Sequence, residues 1–187
     1  GASAIQFMNA AGYDAMCLGN HEFDYGQDVI MERIHEAHFP LVACNIIVEA
    51  TGKPFTQKSV IIRKGKHNIG VIGITTPEAS TSASPLAVAG LKFLRGKELY
   101  AAIQQEVDSL RLHHCDLIIA LGHMGSENFN AGNRSNDVLE NVNGIDIFID
   151  GHDHAVKALR VNGTLLAETG NYTKNIGHIV YKDGEWH

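Results

Sequence analysis

The chain has 187 residues, 44% hydrophobic and 19% charged, enough for one globular core and unlike a disordered chain. Its formal net charge of -6 gives no electrostatic footprint for a nucleic-acid polymer or an anionic membrane, and no apolar run is long enough to span a bilayer. Three scattered cysteines, Cys17, Cys44 and Cys115, fit neither a zinc site nor a disulfide framework and read as buried thiols.

Residues 4–9 carry the apolar spacing of a helix broken by Gly12, and the apolar run at 15–18 predicts a strand directly after it. A helix over 27–38 precedes Pro40, and residues 41–44 predict a second buried strand. Two strands, 60–63 and 69–74, flank a Lys-Gly-Lys-His-Asn turn and predict a hairpin. Residues 75–89, rich in Ser, Thr, Ala and Pro, predict a surface loop. From 98 to 114 the apolar positions Leu99, Ala102, Ile103, Val107 and Leu110 repeat with a helical period. A strand over 116–121, a polar loop with a short helix up to 143, and a strand over 145–149 follow. The segments 159–161 and 164–166 flank Asn162-Gly163, a strong hairpin signal, and a last strand is expected at 179–181. Helix–strand alternation followed by hairpins predicts an α/β sandwich with mixed sheets.

Three of the predicted strands end in polar signatures: Gly19-Asn20-His21, Gly122-His123 and Gly151-His152-Asp153-His154. Strands of common sense in open α/β sheets bring their C-terminal ends to one rim, where such folds place their chemistry. There Asn20, His123 and His152 would offer one amide oxygen and two imidazole nitrogens, donors that suit zinc, iron or nickel and tolerate manganese. His154 could reach a neighbouring ion. A lone Gly-His at a strand end is more often an ordinary satisfied histidine, but three signatures in this order make coincidence improbable. Beside the first, Asp24 could accept a ring N–H of His21, holding its tautomer and stabilising the imidazolium. Glu22 reads as a solvated loop acid. Asn45, just after the second strand, fits a phosphate contact or a turn former, and both stay open. His35, His38, His113 and His114 fall near helix ends, His67 in a turn, His178 at a strand start and His187 at the terminus; these read as structural.

Asn9-Ala10-Ala11-Gly12-Tyr13-Asp14-Ala15-Met16 running into Gly19-Asn20-His21-Glu22-Phe23-Asp24-Tyr25-Gly26, with Gly122-His123-Met124-Gly125 and Gly151-His152-Asp153-His154, resembles the calcineurin-like metallophosphoesterases. The likeness is nearest to their 5'-nucleotidase and 2',3'-cyclic-nucleotide phosphodiesterase branch and covers nearly the whole chain. It implies a four-layer α/β/β/α sandwich and a site for two divalent ions of the Zn, Mn, Fe or Ni class. It further implies that Asn20, His123 and His152 hold one ion, that His154 serves the other directly or through water, and that His21 and Asp24 are the catalytic pair. The substrate class implied is a small phosphate ester, foremost a nucleotide, met by Asn20, His21 and Asn45 and attacked by metal-bound hydroxide. A periplasmic, cell-surface or secreted setting follows from the same kinship.

The family's first strand ends in Asp-x-His and its second in Gly-Asp, whose aspartate bridges both ions. This sequence has no Gly-Asp, and its only Asp-x-His is Asp150-Gly151-His152. Residues 1–187 are therefore expected to form a partial catalytic domain, incomplete at its N-terminal edge and without the family's C-terminal nucleotide-binding domain. Partial metal occupancy, little hydrolysis by this chain alone and oligomerisation through an exposed sheet edge are the corresponding expectations. The alternative is a degenerate module that binds a metal or phosphorylated ligand without cleaving it. A redox metal protein using the same histidines is a further rival, which the cysteines do not support.

Overall fold

The computed structural model describes residues 1–126 and 131–187; the part of the predicted polar loop at 127–130 lies outside the described residues. Helix α1 (Ala2–Ala11) stops at Gly12, whose left-handed backbone lets its N–H reach the Asn9 carbonyl. Strand β1 (Met16–Cys17), a 3-10 turn (His21–Tyr25), helix α2 (Gln27–Glu36) and strand β2 (Leu41–Val42) follow. The two strands pair in parallel, Met16 against Leu41 and Cys17 against Val42. Their core is local: Ile5 of α1 and Ile30 of α2 pack with Leu18, Phe23, Leu41 and Ile46. Phe23 is fully buried and meets the Phe93 ring edge-on at 5.3 Å.

Next come β3 (Ile46–Val48), β4 (Lys53–Pro54), β5 (Ser59–Lys64), β6 (His67–Thr75), the short helix α3 (Ala79–Ser82) and β7 (Leu91–Phe93). β3, β4 and β7 form a small antiparallel sheet. Helix α4 (Gly96–Leu112), β8 (Leu117–His123), α5 (Ser135–Asn141), β9 (Ile147–Asp150), β10 (Val156–Val161) and β11 (Thr164–Thr169) complete the main body. A six-stranded sheet runs β10-β11-β9-β8-β6-β5. Its four inner strands are mutually parallel, and hairpin partners close both edges in antiparallel sense. The predicted helical period of α4 is its buried face: Leu99, Ile103, Val107 and Leu110 pack on Ile72, Ile74, Ile118, Ala120 and Phe148, with Val138 and Leu139 of α5 alongside. Full burial of each such side chain contributes roughly 1.5–3 kcal/mol.

The β1–β2 sheet and the six-stranded sheet meet along β6. Ile72 and Ile74 face α4, so the alternation of the strand turns Gly73 toward β2. There the chains touch: a Cβ on Gly73 would lie 2.0 Å from the Val42 carbonyl oxygen. β5 pairs with β6 only as far as Ser59 against Ile72. Beyond that point the Gly73 carbonyl accepts the Cys44 N–H (2.8 Å), and the Asn45 side chain meets both backbone groups of Thr75. Helix, sheet, sheet, helix is the layer order, the expected α/β/β/α sandwich. β1 has β2 on one side and no described strand on the other.

Three expectations shift in detail. The strand predicted at 41–44 ends at Val42, because Ala43 and Cys44 turn their N–H groups to Gln57 and Gly73. The predicted loop at 75–89 contains α3. At the C-terminal end the strand expected at 179–181 begins two residues later, at Tyr181. A turn at Asp183-Gly184, both residues with positive φ, folds β12 (Tyr181–Lys182) onto β13 (Glu185–Trp186) as a separate hairpin.

Candidate metal and phosphoryl site

The three strand-end signatures converge. β1 delivers Gly19-Asn20, β8 ends on His123, and β9 ends on Asp150, two residues before His152. Asn20 is 8% exposed, and its Oδ1 lies 2.9 Å from His123 Nε2. That same nitrogen is 3.3 Å from His152 Nδ1, with the two imidazole rings crossed at 63°. Burial, reinforced by the neighbouring histidines 152, 21 and 154, lowers the His123 pKa to about 4. His123 is thus neutral at physiological pH and has a lone pair available. Gly19 is needed for this closeness, since a Cβ there would meet a Glu22 carboxylate oxygen at 2.9 Å and the His123 ring at 3.1 Å.

Glu22 differs from its solvated reading. Its carboxylate folds back to accept the Gly19 N–H, and burial raises its pKa. It fastens the turn that aims Asn20.

His21 and Asp24 do come together. The three-residue period of the 3-10 turn stacks them on one side, His21 Nδ1 2.9 Å from Asp24 Oδ2. The His21 side chain is 79% exposed, so the pair faces solvent beside the part-buried donors. Asn45 lies elsewhere. It is fully buried, its Nδ2 donating to the Thr75 carbonyl (2.7 Å) and its Oδ1 accepting the Thr75 N–H (3.0 Å). That spends the amide as a strut and turns no surface to a ligand. His154 is exposed, with its ring 5.7 Å from that of Tyr172. Among the described residues no hydrogen bond joins it to the other three.

Several contacts around the site have no signature in the sequence. Glu78, three residues past the end of β6 at Thr75, puts Oε2 2.9 Å from His152 Nε2. Asp153 accepts hydrogen bonds from the Ser126 N–H and Oγ, while Lys157 reaches Glu168 (2.7 Å) and Asp153 (3.7 Å) behind the same loop. Their placement depends on register: Glu168 pairs with Asp150 across β9 and β11.

The residues fit a divalent cation in part. Three donors of the right chemistry, Asn20 Oδ1, His123 Nε2 and His152 Nδ1, face one another, and the depressed pKa of His123 keeps it a ligand. Among the described residues no group of three or more His, Cys, Asp or Glu side chains closes on one point, so the cluster reaches three donors only by counting the Asn20 amide.

Residues 3–156 match the family model of the calcineurin-like phosphoesterases. Human 5'-nucleotidase is 35% identical over 161 residues, covering 82% of this chain and 26% of that protein. The 5'-nucleotidase of Vibrio parahaemolyticus is 36% identical over 204 residues, covering 94% of this chain and 35% of that one. Among solved structures, the calcineurin-like phosphoesterase YfkN from Bacillus subtilis superposes with a TM-score of 0.81 at 26% identity, covering 98% of this chain and 63% of that chain. The chain therefore spans between 26% and 35% of the length of these two curated relatives.

Proposed function

We infer the activity from one premise: this chain belongs to the calcineurin-like phosphoesterase family. Members of this family use divalent metal ions. We propose that the whole protein hydrolyses phosphate esters, foremost nucleotides, as the names of its 5'-nucleotidase relatives suggest. One observation carries the reading: a part-buried cluster of three metal-type donors, Asn20, His123 and His152, sits beside an exposed His21–Asp24 pair.

Asn20, His123 and His152 would hold one ion and His154 would approach a second. Divalent ions at such a site supply charge that polarises a phosphoryl group and lowers the pKa of water. His21 is free to work at Nε2, because Nδ1 is occupied by Asp24. A proton held at Nε2 can go to the leaving oxygen, and Asp24 stabilises the charged ring that precedes the transfer. Asn20 and His21, adjacent in the chain, would place the ester between ion and acid. The exposed pair gains strength only when a bound ester displaces water from it.

Turnover of a nucleoside monophosphate by the whole protein tests this. His21→Ala should lower kcat by about 100-fold or more, in keeping with the usual worth of a positioned acid. Undiminished turnover would remove His21 from the role. For the 187 residues alone we propose a partial catalytic domain with at most partial metal occupancy and little hydrolysis, since among the described residues no hydrogen bond joins His154 to the Asn20, His123 and His152 cluster. Metal analysis finding two tightly held ions per chain would contradict that. Retained affinity for inorganic phosphate with no turnover by the whole protein would instead leave a binding module. Among the described residues no helix is long and apolar enough to cross a membrane; the periplasmic, cell-surface or secreted setting remains a proposal from kinship.

A further inference from the structure

We infer that Glu78 is a positioning residue for His152: it accepts a hydrogen bond from Nε2–H and so keeps the Nδ1 lone pair pointed at the ion site. The inference rests on the metal reading of the site given above. His152 has φ 92°, a region non-glycine residues rarely adopt, at a cost of roughly 1–3 kcal/mol. A ring on such a backbone is aimed by its contacts. On one edge Nδ1 faces His123 Nε2 at 3.3 Å, and on the other Nε2 faces Glu78 Oε2 at 2.9 Å. A carboxylate only accepts, so the proton of a neutral His152 belongs on Nε2, and Nδ1, on the side of His123, keeps its lone pair.

The acceptor is itself held in place. Thr75 is pinned by Asn45 and by its own hydroxyl on the Leu18 carbonyl, the Thr76 N–H donates to the His123 carbonyl, and Arg95 holds the Pro77 carbonyl. The segment leading to Glu78 is thus tied to β8 and to the end of β1, which carry His123 and Asn20. Carboxylates in this relation to a metal-binding imidazole fix its tautomer and raise its basicity, and losing one costs about 10–100-fold in metal affinity.

The test uses the full chain. In metal-free protein the 15N shifts of the His152 ring should report a single tautomer, protonated at Nε2. Glu78→Ala should lose that signature, and Glu78→Gln, whose amide oxygen can still accept the proton, should keep it. Glu78→Leu removes the acceptor while keeping bulk, so lost packing cannot stand in for the lost acceptor. Zn2+ affinity, read by competition with a chromogenic chelator, should fall about 10–100-fold in Glu78→Ala and Glu78→Leu, and less than about 10-fold in Glu78→Gln. Wild-type ring shifts together with wild-type Zn2+ affinity in either apolar variant would overturn the inference. A wild-type chain that takes up no Zn2+ would count against the phosphoesterase reading, and the ring shifts alone would then decide the role of Glu78.

Discussion

Asn45 offers the sharpest quantitative test of how this fold is held together. Past Ser59, β5 no longer covers the edge of β6, yet Thr75 is fully buried and its N–H and C=O still need partners. The Asn45 side chain supplies both, acting as a detached peptide group that extends the ladder by one rung. Asn45→Ala strands two buried backbone groups, each worth about 1–3 kcal/mol when unsatisfied, so a loss of about 2–6 kcal/mol is expected. That is a large part of the 5–15 kcal/mol typical of a domain. Urea unfolding with an unchanged m-value would measure it. Asn45→Asp sharpens the test. A charged carboxylate would face the Thr75 carbonyl, whereas the protonated acid can donate to it, so the folded state raises this carboxyl's pKa. Folding then favours the proton, and the deficit against wild type should shrink as pH falls from 7 toward 5 and grow as pH rises. An alanine variant within about 0.5 kcal/mol of wild type, or an aspartate deficit independent of pH, would refute the strut. A phosphate contact would behave oppositely, losing phosphate affinity at unchanged stability.

Two further outcomes follow from the packing. Gly73→Ala would place a methyl 2.0 Å from the Val42 oxygen, so the two sheets must separate locally; thermal melts should show a loss of about 3 kcal/mol or more, at the upper end of overpacking costs, and an unchanged midpoint would show that the sheets are not in contact there. Burial pushes the Cys44 thiol from 9.0 to about 12. The unfolded thiol ionises first, so stability present below pH 9 is lost as pH rises toward 12. The three-unit gap amounts to about 4 kcal/mol at most. Under reducing conditions Cys44→Ala should flatten the alkaline limb of the stability profile, and an identical limb would contradict the burial argument.

Much of the site could be read from the sequence because its chemistry sits at strand ends. Asn20, His123 and His152 each follow an apolar run and a glycine, and the parallel strands bring two of them to one rim. The His21–Asp24 pair was legible for a local reason, a three-residue spacing within one turn. What stayed hidden depends on where distant strands start and stop. Asn45 could be a phosphate contact or a turn former until β5 was seen to end short of Thr75. Glu78 lies in a stretch whose composition says only loop, and its meaning comes from His152, 74 residues away. Glu22 looked solvated because nothing in a linear reading shows a side chain folding back on a glycine three residues earlier. The last hairpin was displaced because its Asp-Gly turn outweighs the short apolar run before it.

Asn20 and His123 are separated by 103 positions, and the runs leading to them feed different hydrophobic cores: Leu18 packs in the one that holds α1 and α2, Ile118 and Ala120 in the one that holds α4 and α5. The donor cluster is therefore a vernier between two halves of the molecule. A slip of one residue along a strand is about 3.3 Å, as large as the contacts themselves, so the cluster would come apart while each half kept its helices and strands. An ion held there would clamp the halves in register, adding stability in proportion to the logarithm of its concentration over Kd. Metal uptake by this chain is in that sense a measurement of alignment as much as of chemistry.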